Sequence, residues 1–286
     1  MKTYLDCFPC FLSQALRAAR IATDDEKKIK EVLDAVGMML KDIPLESTPP
    51  ERGRLIYRKV SEITGVPDPY KKIKAESTKK ALALYPSLKR LVRESEDRLL
   101  TAVRVAIAGN VIDFGGNWGF DLEAEIGQIL ENDFAICDFQ AFKNSVDGAG
   151  KVLYIGDNAG ECVFDRILIE EIGKPVVYIV RGAPIINDAT YDDAVAAGID
   201  QVATILSSGT DGPGTILQTC SAEFMEVYNN AECIISKGQG NYEALSGENR
   251  PIFFLLKTKC PVIAEDIGVR EGSSILKCGD MPHEDS

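Results

Sequence analysis

The second half of the chain alternates short apolar runs with segments of helical periodicity, and this alternation restricts the fold more than any other feature. Six runs are predicted as strands: Val152–Ile155, Val176–Val180, and residues near 201–206, 233–236, 252–256 and 262–264. Three intervening segments are predicted as helices: residues 160–172, 189–197 and 213–229. Strands that alternate with helices predict right-handed β–α–β units and a mostly parallel sheet.

The first hundred residues have helical periodicity instead. Leu12, Ala15, Leu16 and Ala19 form an apolar stripe at the spacing of one helix face. Further helices are predicted at about 53–63, 71–84 and 87–106. We therefore interpret residues 1–106 as a helical domain and 107–286 as an α/β domain. Residues 108–117, rich in Gly and Asn, lie at this junction and could line a cleft.

Composition excludes several classes of protein. The net charge of −12 argues against a general nucleic-acid or anionic-membrane binder. No stretch reaches the roughly 18 apolar residues of a membrane span. The first six residues include Lys2 and Asp6 where a signal peptide would be apolar, so we expect a cytoplasmic protein.

The chain has eight cysteines and a single histidine, His283. Zinc sites built on several histidines, Ser-His-Asp triads and Cys-His pairs therefore lack an imidazole. An enzyme with this composition must use carboxylates, lysine, cysteine or a metal ion.

Polar side chains follow two of the predicted strands. Asp157 and Asn158 come after the first, and Asp188 comes after the second. Each of these residues could simply cap the following helix. Alternatively, they could share a divalent cation at the carboxyl edge of the sheet, because carboxylate and amide oxygens suit hard cations such as Mg²⁺ or Mn²⁺.

Lys237 ends a later predicted strand and is followed by Gly238 and Gly240. Glycines let backbone N–H groups approach an anion, so this segment resembles a phosphate site in its chemistry. A tight turn with a solvated lysine explains the same residues equally well.

Cys7 and Cys10 form a C-x-x-C pair without the second pair that a zinc ribbon needs. Cys260 lies just before the last predicted strand. The three thiols could form a metal or redox site, or could be small buried apolar side chains.

Taken together, these segments resemble the damage-control metal phosphatases, a family formerly known as a domain of unknown function. The first subfamily is indicated by the C-x-x-C start, the Gly-Asn-Tyr-Glu stretch at 240–243 and the Lys-Cys pair at 259–260. The resemblance implies a helical domain beside a three-layer α/β/α Rossmann-like domain.

The resemblance also implies roles for individual residues. Asp157, Asn158 and Asp188 would hold a divalent metal, Mn²⁺, Ni²⁺, Co²⁺ or Mg²⁺, and would act in catalysis together with Lys237. The substrate-binding residues that it implies are Asn110, Asp113, Lys237, Gly240, Asn241 and Glu243. For Cys7, Cys10 and Cys260 the sequence leaves a structural or a redox role open.

The implied reaction is hydrolysis of a phosphomonoester of a small metabolite, namely a damaged or surplus sugar phosphate, nucleotide or cofactor phosphate. The expected partner is thus a small phosphorylated metabolite, with neither nucleic acid nor membrane, and the sequence leaves the oligomeric state open. Two alternatives are a cysteine-dependent redox or metal-binding protein and a module that binds phosphometabolites without turnover.

Overall fold

The computed structural model describes residues 1–109 and 133–279. The helices in these ranges are α1 (Cys7–Ala22), α2 (Glu26–Leu40), α3 (Pro49–Thr64), α4 (Lys71–Glu94), α5 (Arg98–Gly109), α6 (Phe139–Gly148), α7 (Cys162–Ile172), α8 (Tyr191–Ala196), α9 (Ala222–Asn229), α10 (Gln239–Leu245) and α11 (Pro261–Ile267). The strands are β1 (Phe134–Cys137), β2 (Val152–Ile155), β3 (Val176–Val180), β4 (Thr204–Ser207), β5 (Cys233–Lys237), β6 (Ile252–Lys257) and β7 (Ser274–Cys278).

The seven strands form one sheet in the order β1-β7-β6-β5-β2-β3-β4. Neighbouring strands are parallel except β6 and β7, which are antiparallel. The predicted mostly parallel sheet is therefore confirmed. β2 lies between β3 and β5, so the loops that follow these three strands leave the sheet side by side.

Alternate residues of the strands face two different helical layers. Tyr154, Tyr178 and Ile235 join a core formed with α4, α5 and α7. Ile155, Ile179 and their neighbours join a core formed with α9, α10 and α11. Because successive strand side chains point to opposite faces, the apolar runs bury both faces of the sheet. The α/β/α layering is confirmed.

Helices α1, α2 and α3 pack around a separate core that includes Phe11, Val36 and Ile56. Helices α4 and α5, in contrast, pack on the sheet through residues such as Leu88 and Ala106. The domain boundary near residue 106 stays a prediction.

Three expectations about local structure are wrong. Residues 262–264 lie in α11 rather than in a strand, because Pro261 occupies the first turn of a helix. The last strand is β7, which the sequence analysis missed together with β1. The helix expected at 213–229 begins only at Ala222, where Ser221 caps it by accepting a hydrogen bond from the Phe224 N–H.

A break near Pro86 was also expected, yet α4 continues through this residue. A proline inside a helix costs about 3 kcal/mol. Leu88 and Val92, which follow it, are buried in the core beside the sheet. Burial of such side chains contributes about 1.5–3 kcal/mol each, which offsets the cost of the proline. In the described part of the chain, no helix has the length and apolar character to cross a membrane.

Candidate active site at the carboxyl edge of the sheet

The loops after β2 and β3 bring Asp157, Asn158 and Asp188 together. Asn158 and Asp188 form an isolated β-bridge. The Ala189 N–H donates to the Asp157 carbonyl oxygen at 2.8 Å. The two predicted strand-end acids therefore share one crevice, because parallel strands end at the same edge of the sheet.

Hydrogen bonds orient the Asn158 amide. Its Nδ2 donates to Asp157 Oδ2 at 3.0 Å and also to Glu161 Oε1. Both amide protons thus go to carboxylates, and the amide oxygen remains for another partner. An oxygen in this position is the donor that a hard cation accepts.

The carboxylates carry an electrostatic cost in this location. Asp157 is 8% exposed and Asp188 is 4% exposed. Burial raises the pKa of Asp157 well above its ordinary value, and the charges of Glu161 and Asp188 raise it further. Burial also raises the pKa of Asp188, although the nearby Arg181 offsets part of that rise. A cation shared by these carboxylates would relieve the cost.

Arg181, which follows β3, is buried among these acids. Its Nε donates to Asp188 Oδ2 at 2.7 Å, and its Nη2 lies 3.7 Å from Asp157 Oδ1. Neither Arg181 nor Glu161 was predicted from the sequence to have a role in the site. The position of Arg181 directly after a strand was the signal that could have identified it.

The donor set consists of two carboxylates and one amide oxygen, which suits a hard or borderline divalent cation. Among residues 1–109 and 133–279, no three His, Cys, Asp or Glu side chains are grouped to hold a metal. The candidate set is therefore mixed, and Asn158 is an integral part of it.

Gly238 lets the loop after β5 approach Asp157. Its φ is +79°, and a Cβ at this position would lie 1.9 Å from Asp157 Oδ2. Glycine avoids both the steric cost of this φ and the collision with Asp157, because it has no Cβ.

We expect Gly238→Ala to lower the melting temperature and the affinity for Mn²⁺, because the methyl group would displace the Asp157 carboxylate. Gly65→Ala is the matched control: Gly65 has a φ of +76° but no atom within 4 Å of its Cβ position. The control should lose only about 1–2 kcal/mol of folding stability, which is the cost of the left-handed conformation for a residue with a Cβ. Thermal melting with Mn²⁺ titration measures both. Equal effects of the two variants would contradict the close approach.

Lys237 lies deeper than the sequence analysis expected. The side chain is 0% exposed, so it is not a solvated lysine at a turn. Its Nζ donates to Asp165 Oδ1 at 2.7 Å, to Glu161 Oε2 at 3.2 Å and to the Ala106 carbonyl at 2.9 Å. All three ammonium protons are thus used inside the protein, and the neighbouring carboxylates raise the pKa of Lys237 against the effect of burial.

Asn241 and Gly240 join loops to one another. The Asn241 amide nitrogen donates to the carbonyls of Gly156 and Lys237 at 3.0 and 2.7 Å. Its oxygen accepts from the Thr215 N–H at 2.9 Å and also from Arg181. At Gly240, a Cβ would lie 2.7 Å from the Pro213 carbonyl oxygen.

Glu243 is half-buried near the start of the chain, where the Met1 ammonium donates to its carbonyl at 3.3 Å. Burial raises the pKa of the Glu243 carboxyl to about 7. Asn110 and Asp113 lie outside the described residues.

Lys259 is an exposed residue of the loop after β6. Its N–H donates to Oε1 of Gln239, the residue after Gly238. Burial and neighbouring acids raise the pKa of Asp157, and the charge of Lys259 is among the groups that oppose this rise. From the sequence, Lys259 was identified only as part of the Lys-Cys pair at 259–260.

All eight cysteines are free thiols. Cys7 begins α1 and Cys260 precedes α11. Burial raises the pKa of Cys7 and of Cys10, and the charge of Cys260 adds to both shifts, so the three thiols lie within electrostatic reach of one another.

The crevice, its oxygen donors and the three-layer fold define a class of α/β protein with a candidate metal site at the sheet edge. Residues 3–275 match the damage-control phosphatase ARMT1-like domain. The chain therefore belongs to the damage-control phosphatase family.

Several archaeal proteins are similar over almost the whole chain. A damage-control phosphatase of Pyrococcus horikoshii is 38% identical, with 96% of this chain and 97% of that protein covered. A damage-control phosphatase of Archaeoglobus fulgidus is 36% identical, with 95% and 97% covered. The crystal structure of a DUF89 family protein from P. horikoshii has a TM-score of 0.92 at 35% identity and covers 98% of this chain and 100% of that one.

Proposed function

We propose that this protein is a metal-dependent phosphatase that hydrolyses phosphomonoesters of small metabolites, such as sugar phosphates, nucleotides or cofactor phosphates. The observation that carries the proposal is the pair of buried carboxylates, Asp157 and Asp188, beside an oriented Asn158 amide. Family membership supports the phosphatase activity.

Asp157, Asn158 and Asp188 would hold the divalent ion, which would be Mn²⁺, Ni²⁺, Co²⁺ or Mg²⁺. When bound, such an ion polarises a phosphoryl oxygen and lowers the pKa of a water molecule. Arg181 donates a hydrogen bond to Asp188, which favours the ionised carboxylate and fixes its position. Glu161 accepts a hydrogen bond from the Asn158 amide and thereby holds its oxygen towards the crevice.

Two lysines have different roles in this proposal. Lys237 is a positioning residue, because its ammonium holds Glu161, which in turn orients Asn158. Lys259 is exposed, its charge acts on Asp157, and it would stabilise negative charge on the phosphoryl oxygens.

The test is phosphate release from sugar phosphates, nucleotides and cofactor phosphates with each of the four metals, before and after removal of metal by a chelator. We expect release that disappears with the chelator and returns with one or more metals. Substrate binding without release would contradict the proposal and favour the non-catalytic module. Activity that tracks the oxidation state of the cysteines instead of the metal would favour the redox alternative.

We expect Lys259→Ala to reduce kcat/KM about ten-fold or more, because a hydrogen bond to a charged group contributes about 1.5–3 kcal/mol. Affinity for Mn²⁺ should stay the same or rise, since a positive charge near Asp157 is removed. Lys72→Ala, at a lysine that is 87% exposed, is the control. Steady-state kinetics and metal titration are the measurements. An unchanged kcat/KM would remove Lys259 from the site.

A further inference from the structure

A pocket of about 190 Å³ lies between α3, the loop at 66–70 and the segment at 183–186 that leads to Asp188. Its lining includes Tyr57, Ser61, Pro69, Tyr70 and Pro184. It thus connects the helical bundle to a loop that carries one of the candidate metal ligands.

The pocket wall is bonded directly to the candidate site. Ile185 lines the pocket, and its carbonyl accepts the Asp188 N–H at 3.0 Å. Ile186, also in the lining, has a φ of +43°. A β-branched residue rarely adopts this conformation, and such strain persists where the surrounding structure enforces it. The short turn at 185–188 therefore sets the pocket wall and the Asp188 carboxylate relative to each other.

Most polar groups around the pocket are already engaged. Tyr57 donates its hydroxyl hydrogen to Gln14 Oε1 at 2.9 Å. Arg54 pairs with Asp211. Asp68 lies 3.1 Å from the Lys74 ammonium.

Apart from Arg58 and Ser61, the remaining walls are proline, isoleucine, tyrosine, alanine and valine side chains. A polyhydroxylated group would leave hydroxyls unpaired against these walls, which is costly. Flat aromatic and apolar walls instead favour a planar ring. Pockets for drug-sized ligands measure about 300–1,000 Å³. The smaller volume here suits a single ring system.

We propose that this pocket binds the leaving group of the phosphomonoester and selects leaving groups that carry one aromatic ring over polyols. The proposal rests on the proposed phosphatase function, because the pocket is assigned to the organic part of that substrate. The phosphoryl group would lie at Asp188 and its neighbouring acids, which the turn at 185–188 joins to the pocket wall.

The experiment compares benzyl phosphate with glucose 6-phosphate and methyl phosphate as substrates, and measures binding of the non-hydrolysable benzylphosphonate by calorimetry. Ser61→Phe fills the pocket from α3, and Ser77→Phe on α4, outside the lining, is the matched control. Pro184→Ala removes part of an exposed wall of the pocket. This variant adds no larger side chain, so its effect does not depend on whether the fold can accommodate one.

For the wild type we expect kcat/KM to be highest with benzyl phosphate. Ser61→Phe should lower the preference for benzyl over methyl phosphate about ten-fold or more, mainly through KM, because the substrate ring can no longer be buried in the pocket. Pro184→Ala should lower it about three-fold, since less wall is removed. Benzylphosphonate affinity should fall in parallel, and Ser77→Phe should behave like the wild type.

The outcomes separate the pocket from the phosphatase function. Phosphate release with no preference for the aromatic substrate, or unchanged benzylphosphonate binding in both pocket variants, would overturn the pocket assignment while the phosphatase function stands. Benzylphosphonate binding that is lost in the pocket variants, without phosphate release from any substrate, would support the pocket as a ring-binding site and overturn the phosphatase function.

Discussion

Asp188→Asn is expected to abolish metal-dependent phosphate release while leaving the metal-free protein folded. The substitution keeps the size of the side chain but removes a charge from the proposed metal site. Changes beside a metal ligand cost about 10–100-fold, so the loss of a ligand should exceed about 100-fold in kcat/KM. The alternative that Asp188 merely caps the following helix is wrong, because Thr190 caps α8. Retained activity would therefore mean that Asp188 takes no part in the reaction.

Stability provides the second measurement on this variant. Removing the charge relieves the burial of an ionised carboxylate and its repulsion by Glu161, and an asparagine oxygen can still accept the hydrogen bond from Arg181 Nε, so the metal-free melting temperature should change little. With Mn²⁺ at about 100 times its Kd, the wild type should gain about 2.7 kcal/mol and the variant much less. Asp192→Asn, at an exposed acid of α8, is the control. A variant with wild-type activity at limiting metal would show that the site is wrongly assigned.

Lys237→Met is expected to destabilise the protein by about 3–5 kcal/mol, because it leaves the buried carboxylates of Asp165 and Glu161 without their cation. Asp165 is 0% exposed and would keep only the hydroxyls of Tyr154 and Tyr178, each at 2.7 Å. Glu161 would lose the ammonium that holds it. We therefore also expect Mn²⁺ affinity to fall about 10–100-fold, as for residues that orient a metal ligand.

The control for this prediction is Lys30→Met, which removes an exposed salt bridge to Asp34 with side chains 69% and 61% exposed. Such pairs contribute about 0–1 kcal/mol. Chemical denaturation gives the free energy of unfolding of both variants, and titration gives the metal affinity. If Lys237→Met were as stable as the control but lost substrate binding alone, Lys237 would contact the substrate and would not be a positioning residue.

Much of the sheet could be predicted from the sequence. The central strands β2, β3, β5 and β6 are continuous apolar runs because both of their faces are buried. The edge strand β1 alternates half-buried and exposed residues, and the sequence analysis missed it. The sequence also placed Asp157 and Asp188 at one edge, because parallel strands bring their carboxyl ends together.

The partners of the site residues could not be predicted in this way. Lys237 follows its strand as expected, but its ammonium bonds to groups that are 72, 76 and 131 positions away in the chain. Likewise, Arg181 and Asn241, which are 60 positions apart, share a hydrogen bond. No local pattern encodes such contacts.

The sequence by itself determined which chemical groups stand at the strand ends, since strand periodicity and turn residues are local properties of the chain. The tertiary structure alone decided which of those groups face the crevice and which are enclosed. It turned Lys237 inwards and left Lys259 exposed, with its charge acting on Asp157. The physical reason is that burial and pairing depend on how α5, α7 and the sheet pack together, and that packing is a sum over residues distant in the chain.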